Sequence, residues 1–228
     1  MNSVTIAIVV EGQTEQTFVR EVLAPEMATR GIYLHPALIG KPGHKGGDIR
    51  FERARNDIGN FLKQRPDIYI STMFDYFRID SQWPGKAEVG RHLQSGVSLT
   101  AKGKAAIIED ATRTEIVKFF PGCDAAIRFL PYIEMHEFEA LLFSDIEVLA
   151  EKTEVDPSLL RRIVGEYANP EEMNDDPAKA PGSRLAVLKN GYRKVAMGKA
   201  ISEAIGIQPI RKQCPHFNSW LLNLEALR

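Results

Sequence analysis

Val4-Thr5-Ile6-Ala7-Ile8-Val9-Val10-Glu11-Gly12-Gln13-Thr14-Glu15 is the stretch that decides the fold. Its first seven residues are apolar almost without a break and rich in β-branched side chains. That composition suits a strand buried on both faces of a parallel sheet. Gly12 permits the turn that follows. Thr14 reads as the N-cap of a helix over about 15–30, in which Phe18, Val22 and Leu23 recur at helical spacing. Working outward, residues 32–39 read as a second strand, and residues 40–47 as a glycine-rich basic loop. A second helix is expected over about 49–63, ending before Pro66. Residues 67–74 read as another interior strand, which delivers Asp75 at its carboxyl end.

This β-α-β-α-β order predicts an α/β fold with a mostly parallel, Rossmann-like sheet flanked by helices. Sites in such sheets lie outside the carboxyl ends of the strands. Further along, 78–101 reads as an irregular excursion, 102–120 as a helix, 126–135 as a strand and 136–143 as the start of a helix. Beyond about Asp145 the pattern is helical over 155–167, 183–188 and 199–205, with an ordered loop over 169–182. The expected division is an α/β core over 1–145 and a helical C-terminal extension over 146–228 packed on it, or both as one single domain.

The chain of 228 residues is 44% hydrophobic and 26% charged, with net charge −1, so it can bury a sizeable core and disorder is excluded. A charge so near zero gives no global signature of a nucleic-acid binder. Cys123 and Cys214 are too few for a disulfide framework or a cysteine-type zinc site and read as buried or incidental thiols. The apolar runs are shorter than the ~20 residues that span a bilayer. The amino-terminal residues lack the pattern of a secretory signal. The expectation is a cytoplasmic protein without membrane association.

The acids carry the chemistry. Glu11 stands at the mouth of the sheet, and Glu15 follows four residues later across the turn. Together they form half of a plausible Mg²⁺ site, since Mg²⁺ prefers oxygen ligands. A first-turn glutamate also stabilises a helix by about 0.3–1 kcal/mol through its dipole, which is the plainer role for Glu15. Asp75 ends an apolar strand at the same edge, with Asp80 five residues on. Either aspartate also suits a turn cap. In Ile133-Glu134-Met135-His136-Glu137-Phe138-Glu139-Ala140, Glu137 or Glu139 can complete the acidic set. His136 can bind metal, meet a phosphate oxygen or order a carboxylate. Ala140 in place of a second histidine rules out the H-E-x-x-H zinc signature. Carboxylates gathered from three strand ends repel one another unless something neutralises them, and a divalent cation is the economical answer. Two basic groups are candidates for phosphate contacts. Lys41, His44, Lys45 and Arg50 surround the glycine loop, which is not a P-loop. Arg184, Lys189, Arg193 and Lys194 form the second group, with Lys194 placed to stabilise charge on a pentavalent phosphate.

These motifs, V-E-G-Q-T-E after the first strand, the strand-end Asp75 and P-Y-I-E-M-H-E-F-E-A-L-L-F, together resemble an uncharacterised bacterial Toprim-like family. Its later pattern is matched by A-P-G-S-R-L over 180–185, by Tyr192 with Lys194, and by C-P-H-F-N-S-W-L over 214–221. Toprim domains occur in topoisomerases, primases and overcoming-lysogenization-defect (OLD) nucleases. The resemblance implies a Toprim-like sheet with an acidic Mg²⁺ or Mn²⁺ site, Glu11 taking the place of the Toprim glutamate and Asp75 that of the first aspartate. Phe77 breaks the usual Asp-x-Asp pair, as in the OLD type, so Glu15 and Glu137 or Glu139 would supply the missing carboxylates. The expected function is a metal-dependent nuclease acting on DNA, with RNA as the second candidate substrate, in a bacterial antiphage defence or mobile-element system. Its catalytic set would be Glu11, Glu15, Asp75, Glu137 and Lys194, and its metal set Glu11, Glu15, Asp75, Glu137 and Glu139. His136, Asp80, Lys45 and Arg184 would support them. An ABC- or SMC-type ATPase partner is implied by the same resemblance. The alternative, motivated by the missing aspartate pair, is a non-catalytic module that binds metal and nucleic acid or docks on the ATPase.

Overall fold

Val4–Val10 forms strand β1, which is covered on both faces, as its unbroken apolar sequence requires. In this computed structural model, which describes residues 3–40, 49–173, 176 and 179–228, β1 lies inside a parallel sheet. Its neighbours are β2 (Ile32–Leu38) on one side and β3 (Tyr69–Asp75) on the other. The order is β2-β1-β3-β4, where β4 is Phe129–Leu130, and β5 (Ile133–Glu134) pairs with β3 further along. The register sets Val10 beside Met73 and Asp75 beside Glu134, so β3 and β5 finish level and β1 ends two residues short of them at the same edge of the sheet. The α/β, Rossmann-like architecture expected from the sequence is the one found.

Helices cover both faces. On one, α3 (Phe51–Gln64) and α5 (Ala101–Phe119) bury Ala54, Ile58, Leu62, Ala105 and Ile108 against Val9, Ile70 and Phe74. On the other, Ile6, Ile8 and Val10 meet Phe18 of α1 (Gln13–Phe18) and Phe138, Leu141, Phe217 and Trp220. The alternation of Ile8 and Val9 between the two cores is the period-2 geometry of a strand. The chain of α1 continues through a π-helical turn (Val19–Leu23) into α2 (Ala24–Ala28). Pro25 stands just after the widened turn, where a ring without an N–H would otherwise clash with the preceding carbonyls.

Several local expectations are corrected. Gly12, not Thr14, is the N-cap residue of α1, and it makes no side-chain cap bond. The excursion over 78–101 contains α4 (Lys86–Gln94), whose Val89 is buried in the second core, so tertiary packing prevails over the glycine-rich local signal. The strand expected over 126–135 begins instead with the helical turn α6 (Ala125–Arg128). There the buried Arg128 guanidinium donates to the carbonyls of Leu62, Arg65, Ile68 and Cys123. Pro131 then interrupts β4 and β5. The 136–143 helix is a 3₁₀ segment, Phe138–Ser144. The C-terminal region comprises α7 (Ile146–Thr153), α8 (Pro157–Val164), α9 (Pro181–Leu188), α10 (Lys194–Ile205), α11 (Ile207–Gln213) and α12 (Pro215–Glu225). Lys41, His44 and Lys45 of the glycine loop lie outside the described residues.

Side chains repair the break at Pro131. Thr72 Oγ1 accepts the Tyr132 N–H at 2.8 Å and donates to the Tyr132 carbonyl at 2.9 Å, standing in for a missing ladder rung. Ser71 Oγ donates to the Leu130 carbonyl at 2.5 Å and accepts Trp220 Nε1–H at 2.9 Å, while the Trp220 ring stacks on Tyr132 at 4.3 Å. The C-terminal helix is fastened at its start as well. Glu171 accepts the His216 and Phe217 N–H groups at 2.8 and 2.7 Å. Glu109 accepts the Ile133 N–H at 2.8 Å and meets His216 Nε2 at 3.0 Å. Replacing Thr72 by Val leaves two buried backbone groups unmatched and is expected to cost about 2–4 kcal/mol, or roughly 5–15 °C in Tm. Thr72→Ser keeps the hydroxyl. Equal thermal midpoints for the two variants would contradict this account of the edge.

Candidate metal and phosphate site

Glu11 is the first residue beyond β1, and its side chain is held from two directions. The Asp75 N–H donates to Glu11 Oε2 at 3.2 Å, and Arg78 Nε pairs with Oε1 at 3.3 Å. Asp75, at the end of β3, is buried, and its Oδ1 accepts the Phe138 N–H at 2.9 Å. Glu15 is buried in the first turn of α1 beside Gly12, where an added Cβ would stand 3.0 Å from Glu15 Oε2. That close approach explains a glycine between the two glutamates better than turn geometry does, since the Gly12 backbone is merely extended.

The third strand end brings Glu137 and Glu139. Glu137 has extended backbone, and Glu139 is the second residue of the 3₁₀ segment. Both face Lys194, the first residue of α10, at 4.0 Å for Glu137 Oε1 and 3.2 Å for Glu139 Oε1. The contact with Glu139 is an ion pair lacking hydrogen-bond angles, so this buried oxygen has no hydrogen-bond partner among the described residues. Glu137 Oε2 accepts the Gly182 N–H at 2.9 Å. It thereby caps α9, which has no side-chain cap of its own. A side chain at 182 would meet Lys194 Nζ at 2.8 Å and Glu137 and Glu139 oxygens at 2.9 and 3.1 Å. Gly182 thus lets the C-terminal region close on the acids.

Glu11, Glu15, Asp75, Glu137 and Glu139 act on one another electrically. Burial raises Asp75 well above the usual carboxylate range, and Glu11, Glu15, Glu139 and Glu137 add to it. Glu15 is pushed from 4.5 up to about 8, by burial first and by the Glu11 charge second. Burial also raises Glu11, against the pull of Arg78 and the Asp75 N–H, and raises Glu139, against the pull of Lys194. For Lys194, burial works to lower the pKa, but Glu139 and Glu137 outweigh it and the ammonium stays charged. The site therefore gathers more acidic groups than Lys194 and Arg78 can offset, which raises their affinity for protons. Among the described residues no three histidine, cysteine or acidic side chains stand in ready-made ligand geometry. The donors are hard oxygens, the type that Mg²⁺ or Mn²⁺ takes, and Glu139 Oε1 is buried with the Lys194 ion pair but no hydrogen bond among the described residues, so the residues fit such an ion.

The supporting candidates make contacts of their own. His136 is buried against the Phe77 and Tyr76 rings, both at 5.3 Å, and the Met135–His136 peptide is cis. Asp80 accepts the Gln82 N–H at 3.1 Å, the plain turn role. Arg184 donates to the Lys179 carbonyl at 2.8 Å and to the Tyr167 hydroxyl at 3.0 Å, bracing the preceding loop. Arg78 and Gly182 escape the sequence reading. Arg78 lies three residues past Asp75 in the same strand-end turn, which was a usable signal, whereas Gly182 reaches the site only through the packing of α9.

The raised acids make a pH prediction. A carboxyl whose folded pKa exceeds its unfolded value stabilises the fold below the unfolded pKa, and that stability is lost as pH rises through the folded pKa. For Glu15 the window runs from 4.5 to about 8. In EDTA, the Tm of the wild type is expected to fall across this window by several degrees more than that of Glu15→Gln, at roughly 2–4 °C per kcal/mol. Parallel pH profiles would show that Glu15 does not hold its proton.

The model of a family described as a domain of unknown function (DUF4276) matches residues 10–225, a span that takes in every acid of the site together with Gly182 and Lys194. No curated protein and no solved structure matches the chain. With nearly its whole length covered by that family model, the chain belongs to the DUF4276 family.

Proposed function

We propose that this protein is a metal-dependent nuclease of the Toprim type, hydrolysing phosphodiesters of DNA in preference to RNA. The observation that carries the reading is the convergence of Glu11, Asp75, Glu137 and Glu139 from three strand ends, joined by Glu15, on a buried site whose charge is offset only in part by Lys194 and Arg78. Glu11, Glu15, Asp75 and Glu139 would hold Mg²⁺ or Mn²⁺, with Glu137 divided between that ion and the α9 cap. The ion would supply Lewis acidity toward a phosphoryl oxygen and a more acidic water. The chain's own groups supply the rest. Lys194, half exposed at the outer side of the acids, meets the charge that grows on a non-bridging oxygen during displacement. Arg78 fixes the Glu11 carboxylate in one orientation. One of the acids accepts the proton of the attacking water.

With a net charge of −1 the chain gains little from long-range attraction to a polyanion. This supports the second half of the proposal, that an ABC- or SMC-type ATPase partner brings the nucleic acid to the site. Linear DNA, supercoiled DNA and RNA incubated with Mg²⁺, Mn²⁺ or EDTA test the first half. Cleavage is expected only with metal, and it should fall more than about 100-fold in Glu11→Ala and Asp75→Asn, because lost second-shell partners alone cost ~10–100-fold. Cleavage that survives both substitutions removes these acids from the mechanism. No cleavage even with the ATPase present favours a docking or binding module.

A further inference from the structure

Lys194 stands where local helix chemistry disfavours it. It is the first residue of α10, it follows Arg193 at the cap position, and the first turn of the helix holds no acid. A cation there opposes the helix dipole, which favours an acid in that place. What the side chain meets across the fold explains it instead. The ammonium lies 3.2 Å from Glu139 Oε1 and 4.0 Å from Glu137 Oε1. The Glu139 side chain is 2% exposed and that of Lys194 is 50% exposed, so the lysine reaches from the rim to a buried carboxylate. Gly182 leaves the room for it, because a Cβ there would stand 2.8 Å from Nζ. The contact with Glu139 rests on charge, without the angles of a hydrogen bond. Glu137 Oε2 is taken by the Gly182 N–H at 2.9 Å, and Oε1 is the oxygen turned to Lys194. A compact positive charge facing two carboxylate oxygens, carried on a flexible stem, is placed as a bound cation would be.

We propose that Lys194 is a tethered stand-in for the divalent ion. Its ammonium holds the cation position at Glu137 and Glu139 until the ion arrives, and the ion displaces it toward solvent, where it meets the phosphate. The inference rests on the metal and phosphodiester reading of the site and adds an order to it, ion before phosphate. At equal distance a divalent ion gains twice the Coulomb attraction of an ammonium from each carboxylate, so it wins the position. The four-carbon stem lets the ammonium swing out while α10 stays in place. The competing explanation is a fixed structural ion pair, with the divalent ion bound among Glu11, Glu15 and Asp75 and Lys194 left on Glu139.

Calorimetric Mn²⁺ affinity of the wild type, Lys194→Met and Lys194→Arg, at one pH and one salt concentration, separates the two. Lys194→Met removes the competitor and is expected to bind Mn²⁺ about 10-fold more tightly than the wild type. Lys194→Arg is expected to bind it more weakly, because a planar guanidinium grips carboxylates through paired hydrogen bonds and yields less readily. Equal affinities in all three overturn the inference and leave the metal site standing. A gain in Lys194→Met with wild type and Lys194→Arg equal also overturns it, since that assigns the effect to charge at a distance. Mn²⁺ binding to none of the three removes the metal reading and this inference with it. The expected order of affinities in a protein that cleaves no nucleic acid retires the nuclease reading and retains the stand-in. A crystal structure of the wild type grown with Mn²⁺ checks the displacement without any substitution. The ion is expected on Glu139 with Lys194 turned away from it, and a bound ion with Lys194 still paired to Glu139 overturns the proposal.

Discussion

Repulsion among buried carboxylates is the constraint around which the rest of this protein is arranged. A parallel sheet ends its strands at one edge, and here β1 ends within two residues of β3 and β5, so acids placed at these ends have little room to separate. Water that would screen them is excluded by the C-terminal helices. The folded chain answers with local neutralisation: the Asp75 and Phe138 N–H groups, Arg78 at the edge, Lys194 from α10 and the Gly182 N–H from α9. These offsets leave the proton affinity of Glu15 and Asp75 raised. A site that retains protons against its own neighbours is one from which a divalent cation can displace them.

The C-terminal helices complete the site as well as covering the sheet. Glu171 seats the start of α12, Glu109 ties His216 to β5, and Trp220 locks onto Ser71 and Tyr132. That attachment fixes the face on which α9 and α10 approach the acids. Gly182 then sets how closely they approach, because any side chain there would occupy space held by Lys194, Glu137 and Glu139. The residues at the sheet edge and those on the distant helices are thus parts of one electrostatic arrangement, although more than a hundred residues of chain separate Asp75 from Gly182 and Lys194.

The sheet and the first acids were legible in the sequence because both follow from short-range pattern. An unbroken apolar run bounded by Glu11, and another bounded by Asp75, give strand ends without reference to the rest of the chain. The helix α4 was hidden because Pro84 and Gly85 precede it, Gly90 interrupts it and Gly96 follows it, although most of its residues favour helix and Val89 packs in the second core. The strand over 126–135 was overread because its apolar content says nothing of Pro131 removing a donor, or of Arg128 requiring four carbonyls. The role of Gly182 is hidden for a different reason. It lies in what the residue meets across the fold, acids and a lysine that leave no room for a methyl group. Lys194 was named from chemistry alone, and its pairing with both Glu137 and Glu139 leaves those two acids sharing one site rather than competing for it.

The central claim is that these acids form a divalent-cation site kept protonated until the ion arrives, and proton release on binding reads it most directly. Calorimetric titration of Mn²⁺ at pH 7.5, run in two buffers of different ionisation enthalpy, counts the protons released per ion bound. The account predicts binding with release on the order of one proton per protein, reduced in Glu15→Gln, because Glu15 is still largely protonated at that pH. Binding without proton release, or no binding of Mn²⁺ at all, would contradict it.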